Sequence, residues 1–187
     1  MIQCVFVQFS KEDDKMVKDT ILVIDVDVDG IQEIMNILSD SYRICTAGSF
    51  EDALLIIRDI IPELILIDST MSAKDGFDIL EFLKTNDKSS HIPVIFITPL
   101  DNPDFEVRAF DMGSVDYITK PFVPKVVRKR IETQIKLAKY EHKLEELVEE
   151  KVSEIEDMYD IMAISFAGLV ESRDGITGGH LKNTAIY

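Results

Sequence analysis

Four short runs of largely apolar residues, rich in β-branched side chains, constrain this chain most, because each ends in a side chain that can do chemistry. The clearest is Glu63-Leu-Ile-Leu-Ile-Asp68, followed by the polar turn Ser-Thr-Met-Ser-Ala-Lys-Asp75-Gly76. An apolar run of this length, bounded by turn residues, reads as a strand buried on both faces of a parallel sheet, with Asp68 at its carboxyl end. Thr20-Ile-Leu-Val-Ile-Asp25 also ends in an acid, and Pro93-Val-Ile-Phe-Ile-Thr98 ends in a hydroxyl. Val115-Asp-Tyr117-Ile-Thr-Lys120-Pro121-Phe122 ends in a lysine followed by proline. Open α/β sheets carry their sites at the carboxyl edge, so two carboxylates, a hydroxyl and an ammonium are expected to converge there. Such a set suits a hard cation and a phosphoryl group: Mg²⁺ prefers carboxylate and water oxygens, while Lys and Thr stabilise phosphoryl oxygens.

Between these runs the pattern switches to helical spacing, giving five strand–helix alternations from residue 20 onward. Ile31, Ile34, Met35 and Leu38 mark the first helix, and Tyr42 to Thr46 the second strand. Phe50 to Arg58 is a helix whose expected N-cap is Ser49, with Asp52 at its third position as a loose capping box. Phe77, Leu80, Phe82 and Leu83 give the third helix its inner face, and Phe105 to Met112 form a short fourth helix closed by Gly113. Strands alternating with helices imply right-handed crossovers and a parallel α/β sheet. A nucleotide-binding Rossmann domain needs a glycine-rich turn after its first strand. The turn here, Asp25-Val-Asp-Val-Asp29-Gly30, carries three acids that repel phosphate.

In strand order, motif order and spacing the chain resembles the receiver domain of bacterial two-component response regulators, over roughly residues 20 to 140. The resemblance implies a flavodoxin-like (βα)5 fold with the central parallel sheet in order 2-1-3-4-5. It implies Asp68 as phosphoryl acceptor, Thr98 as switch hydroxyl, Tyr117 as switch aromatic, and Lys120 as the phosphate-contacting lysine before a cis proline, Pro121. It implies Mg²⁺ held by Asp25, Asp68 and the backbone carbonyl of Thr70. Three departures follow. Val26 stands where the family has its second acid, so Mg²⁺ binding is expected to be weak, with Asp27 a possible additional acid one residue on. Met71-Ser72-Ala73 replaces Met-Pro-Gly and loses two turn formers, which is expected to relax that loop. Pro99 replaces Ala or Gly after the switch hydroxyl, removes a backbone N–H, and holds Thr98 extended.

The 187 residues, 46% of them apolar, suffice for one domain plus an extension. A net charge of −15 argues against nucleic acid and anionic membranes as partners. The basic stretch Lys125 to Arg130 reads as a solvated helix face. Cys4 and Cys45 lack metal-ligand spacing and imply no disulfide framework. Without a membrane span or a signal sequence, the expected location is cytoplasmic.

The expected organisation is an N-terminal extension over 1–19, the receiver over 20–136, a helical linker over 137–167 and a further segment over 168–187. The apolar run Ile2 to Phe9 is either an extra edge strand or a remnant of upstream sequence, and Lys11 to Lys15 reads as a linker. The fifth helix begins near Pro124 and meets no Pro or Gly until Gly168, about 45 residues and ~65–70 Å. Its apolar stripe, Leu137, Tyr140, Leu144 and Leu147, then Val148, Val152, Ile155, Tyr159, Met162 and Phe166, is a heptad pattern with a stutter. A parallel two-stranded coiled coil, hence a homodimer, is the expectation. Arg173-Asp174, Gly178 and His180 resemble the opening of the HD-GYP cyclic di-GMP phosphodiesterases, with His180 at a metal-binding position and Ile176 where many members have Glu. The sequence stops before the rest of that metal site, so this stretch is not expected to be an enzyme, and the chain reads as cut from a longer regulator. The resemblance implies a phosphorelay module that takes its phosphoryl group from a sensor histidine kinase or phosphotransfer protein and passes the signal along the coiled coil to an output domain. The alternative is a degenerate receiver, a dimerising interaction module whose Asp68 is never modified.

Overall fold

The structure, a computed structural model, describes residues 3–4, 18–71, 73–86, 88–99 and 103–174, without the side chains of 3–4, 73–75, 103 and 170–174. Lys11 to Lys15, Ser72, Ile176 and His180, each singled out in the sequence, lie outside the described residues.

In chain order the elements are β1 (Gln3–Cys4), β2 (Thr20–Ile24), α1 (Val28–Leu38), β3 (Arg43–Ala47), α2 (Phe50–Asp59) and β4 (Leu64–Asp68). They continue with α3 (Ala73–Thr85), β5 (Val94–Thr98), α4 (Pro103–Asp111), β6 (Asp116–Thr119) and α5 (Pro124–Asp174). One sheet holds the strands in order β1-β3-β2-β4-β5-β6. The pairs β3–β2, β2–β4, β4–β5 and β5–β6 are parallel, so the five strands from residue 20 onward take the order 2-1-3-4-5 when counted among themselves. The first apolar run does supply an edge strand: Gln3 and Cys4 pair antiparallel with Thr46 and Cys45.

Side chains alternate across a strand, and here both sets are buried. Leu22, Ile24, Ile65, Ile67, Val94 and Phe96 meet α2, α3 and α4 through Ala53, Ile56, Phe77, Leu80, Leu83 and Ala109. Ile21, Val23, Leu64, Leu66, Ile95 and Ile97 meet α1 and α5 through Ile34, Ile37, Leu38, Val127, Ile131 and Ile135. The apolar runs are therefore unbroken because helices cover the sheet on both sides.

Local signals set most of the ends. Ser49 caps α2, its hydroxyl accepting from the Asp52 N–H at 3.1 Å. Gly113, at φ +96°, closes α4. Its N–H donates to the Phe110 carbonyl and that of Ser114 to Ala109, the two bonds of a Schellman motif. Other expectations need correction. The turn after β2 is shorter than its run of acids suggested: α1 starts at Val28 with Asp27 as N-cap, so Asp29 and Gly30 are helical. Phe82 is not on the inner face of α3; it is 37% exposed and meets Phe50 edge to face, while Ile79 is fully buried. Gly168 does not end α5, which continues to Asp174. A single glycine costs a helix about 1 kcal/mol, too little to stop one of this length. The basic stretch is only partly a solvated face, since the Arg128 side chain donates to the Ile37 carbonyl at the end of α1.

The chain divides into two units, one up to Lys139 and one from Tyr140. In the second, the helix leaves Leu144, Leu147, Val152, Ile155, Met162 and Phe166 exposed. No described helix is long and apolar enough to cross a membrane.

Candidate functional site

The carboxyl edge of the sheet collects the predicted residues by extending its ladders. The Asp25 N–H donates to the Ala47 carbonyl, Ser69 N–H to Ile97, and Lys120 N–H to Thr98. Strand alternation gives Asp25 the parity of Ile21 and Val23, Asp68 that of Leu64 and Leu66, and Lys120 that of Ile118. All three fall on the α1/α5 side of the sheet. The Lys120 ammonium donates to Asp68 Oδ2 at 2.5 Å and lies 3.6 Å from Asp25 Oδ2. Both carboxylates are sealed from solvent, at 0% and 1% exposure, while Lys120 is 22% exposed. The Lys120–Pro121 bond is cis.

The other oxygens are committed as well. Asp68 Oδ1 accepts from the Thr70 N–H at 2.6 Å and the Thr70 hydroxyl at 2.5 Å. Asp25 Oδ1 accepts from the Asp27 N–H at 2.8 Å. Asp27 in turn caps α1, accepting from the N–H groups of Asp29 at 3.2 Å and Gly30 at 3.3 Å.

Burial pushes the Asp68 carboxyl upward, but the Lys120 ammonium and the hydroxyl and N–H of Thr70 outweigh it and hold the group below the ordinary value. Burial also pushes Asp25 up. The Asp27 N–H opposes this, the neighbouring Asp68 charge reinforces it, and the net result is a raised pKa. Lys120 resists burial through its contact with Asp68 and the charges of Asp25, Asp68 and Asp27, so its pKa is raised. Asp68 thus stays an ionised, oriented carboxylate beside a fixed cation.

Thr98 and Tyr117 take the opposite parity, toward α4. Thr98 is buried at the end of β5 beside β4 and β6. Tyr117 is half-buried, with its ring 6.1 Å from that of Phe110 and the Arg130 guanidinium 5.7 Å from its centroid. Arg130 also pairs with Asp116. A cavity of about 70 Å³ opens here, lined by Tyr117, Pro121, Val126 and Arg130 among others. The structure therefore brings Asp25, Asp68 and Lys120 into one contact set and places Thr98 and Tyr117 on the adjoining strands.

Val26 is 60% exposed and offers no ligand, and Pro99 is exposed. Among the described residues no three His, Cys, Asp or Glu are already arranged around a metal position. The donor set still fits a hard divalent cation. Among the described residues, Asp25, Asp68 and nearby Asp27 set three carboxylates against one ammonium, a surplus of two negative charges when all are ionised. A Cβ at residue 30 would stand 3.1 Å from Asp25 Oδ2, Asp27 Oδ2 and Lys120 Nζ, so the cradle is open there because residue 30 is glycine.

Sequence reasoning missed the Thr70 hydroxyl, the Asp116–Arg130 pair and the room at Gly30. A hydroxyl two residues after Asp68, and an acid just before the first periodic apolar residue at Asp27, were the available signals for Thr70 and for the cap.

Residues 21–132 match the family model described as response regulator receiver domain. The chain is 34% identical over 175 residues to a probable cyclic di-GMP phosphodiesterase of Vibrio cholerae, covering 90% of this chain and 40% of that protein. It spans about half or less of the length of that relative and of the ycf27 regulator of Pyropia yezoensis, which is 32% identical. Among solved structures, NtrX from Brucella abortus superposes with TM-score 0.65 at 29% identity, over 70% of this chain and 30% of that one. A response regulator from Chloroflexus aurantiacus, at 22% identity and TM-score 0.61, covers 64% of this chain and 98% of its own; it shares the fold.

Proposed function

The chain belongs to the response regulator receiver family of two-component signalling, and from that premise we propose that Asp68 accepts a phosphoryl group. The observation that carries this reading is the Lys120 ammonium, 2.5 Å from a buried Asp68 carboxylate at the carboxyl edge of the sheet. An Asp68 oxygen attacks phosphorus, the bond from phosphorus to the donor's nitrogen or oxygen breaks, and the leaving group takes the electron pair. Lys120 stabilises the transferred oxygens, joined by the hydroxyl of Thr98 from the end of the neighbouring strand. Thr70 orients the carboxylate through Oδ1. Mg²⁺, held by Asp25, Asp68 and the Thr70 carbonyl, would neutralise phosphoryl charge, weakly because Val26 supplies no oxygen.

Occupancy of Asp68 then biases Thr98 and Tyr117, and with them the face formed by α4, β6 and α5. Phe110, Val123 and Val126 leave that face apolar and exposed. The donor is a histidine kinase or phosphotransfer protein of the cytoplasm. The exposed stripe from Tyr140 onward forms a parallel coiled coil with a second copy and leads to an output domain. Likeness to the Vibrio cholerae protein over 175 residues supports a cyclic di-GMP phosphodiesterase as the parent.

Incubation with acetyl phosphate and Mg²⁺, read by intact mass, tests the transfer: an adduct of about 80 Da, absent from Asp68→Asn, is expected. Val26 favours a second reading, a receiver that binds partners without being modified. An unmodified mass at saturating donor would select that second reading.

A further inference from the structure

Resting on the receiver reading, we propose that Asp27 supplies to the divalent cation the carboxylate that position 26 lacks, and that Gly30 exists in α1 to make room for it. Three observations support this assignment. The Asp27 backbone is tied to the site by its N–H bond to Asp25 Oδ1 at 2.8 Å, which holds residue 27 beside Asp25. The Asp27 carboxylate is steadied by two long bonds from the start of α1, at 3.2 and 3.3 Å, which leave lone pairs on both oxygens. Asp25 Oδ2, Asp27 Oδ2 and Lys120 Nζ all lie 3.1 Å from the spot a side chain at residue 30 would fill. No two of them are farther apart than twice that distance.

Glycine at residue 30 has no backbone reason. Among the described residues only Gly113 has a positive φ, so residue 30 has a conformation any residue can adopt. Helical glycine is disfavoured against nearly every alternative. What glycine provides here is space between two carboxylates and an ammonium. Val26 meanwhile presents an apolar side chain to solvent. The acid absent from residue 26 and the bulk absent from residue 30 are thus two halves of one arrangement, with the third carboxylate entering from residue 27.

The test is calorimetric titration of Mg²⁺ into the full chain, without phosphoryl donor. Asp27→Asn keeps an N-cap of equal quality but removes the charge, and should weaken binding about tenfold or more. Gly30→Ala should weaken it comparably while melting in EDTA no lower than wild type. Asp68→Asn should abolish the signal. If Asp27→Asn or Gly30→Ala binds within about twofold of wild type while Asp68→Asn does not bind, the assignment to Asp27 is overturned and the receiver reading stands. If Asp68→Asn binds as wild type does, the receiver site itself is misplaced and both readings fall.

Discussion

Replacing Lys120 by Met removes the one cation, among the described residues, in contact with two carboxylates that are 0% and 1% exposed. Breaking a buried pair by deleting one partner costs about 3–5 kcal/mol, because the remaining charge is left without compensation. Lys120 is itself 22% exposed, which places the expected loss near the lower end, about 3 kcal/mol, or ~12 °C in Tm for a domain of this size. The pH dependence follows from the direction of each shift. In the wild type Asp68 has a lowered pKa, so its contribution is present above the ordinary carboxylate range and is lost as pH falls through the folded value. Lys120 has a raised pKa, so its contribution is present below its ordinary value of 10.5 and is lost as pH rises through the folded one. Without the ammonium, burial is opposed only by the Thr70 bonds at Asp68 and the Asp27 N–H at Asp25, so both folded pKa values should rise. The native state then holds protons the unfolded chain has lost, and stability falls as pH rises. Urea unfolding in EDTA at about pH 5 and about pH 7.5 should therefore show a smaller penalty at the lower pH. A penalty below about 1 kcal/mol at both values, or one larger in acid, would show that Lys120 does not neutralise this pair.

Asp25→Asn should stabilise the metal-free protein by about 1 kcal/mol at neutral pH, because the raised pKa of Asp25 makes its ionised form a burden there; a lower Tm in EDTA would contradict this. Val26→Asp should tighten Mg²⁺ binding about tenfold by calorimetry, and an unchanged affinity would remove residue 26 as the cause of weak binding. Gly113→Ala should cost about 1–2 kcal/mol in urea unfolding, since φ +96° sets a Cβ against the following carbonyl; a neutral result would contradict the strain. Leu147→Lys together with Ile155→Lys should convert a dimer to a monomer in analytical ultracentrifugation without lowering the receiver transition, and a variant that remains dimeric would place the contact elsewhere.

Much of the sheet was readable because its information is local. A strand buried on both faces needs an unbroken apolar run, and Leu64 to Ile67 or Val94 to Ile97 has few other ways to be satisfied. Ser49 and Gly113 announced helix ends because a cap is decided by the residue at the cap itself. Phe82 was misjudged for the complementary reason: helical spacing alone cannot say how wide a stripe the neighbouring elements will cover.

From the amino acids alone came the positions of Asp25, Asp68, Thr98 and Lys120 at strand ends, since the period of two and the length of each apolar run fix which residue terminates it. Tertiary structure alone decided that Lys120 crosses 52 residues of sequence to reach Asp68, that Arg128 ties α5 to the end of α1, and that Gln3 and Cys4 add an antiparallel edge. It alone set Asp27 and the vacant Cβ position of Gly30 around the same charges. Distances between groups remote in sequence depend on how the covering helices seat on the sheet, and no local propensity encodes that seating.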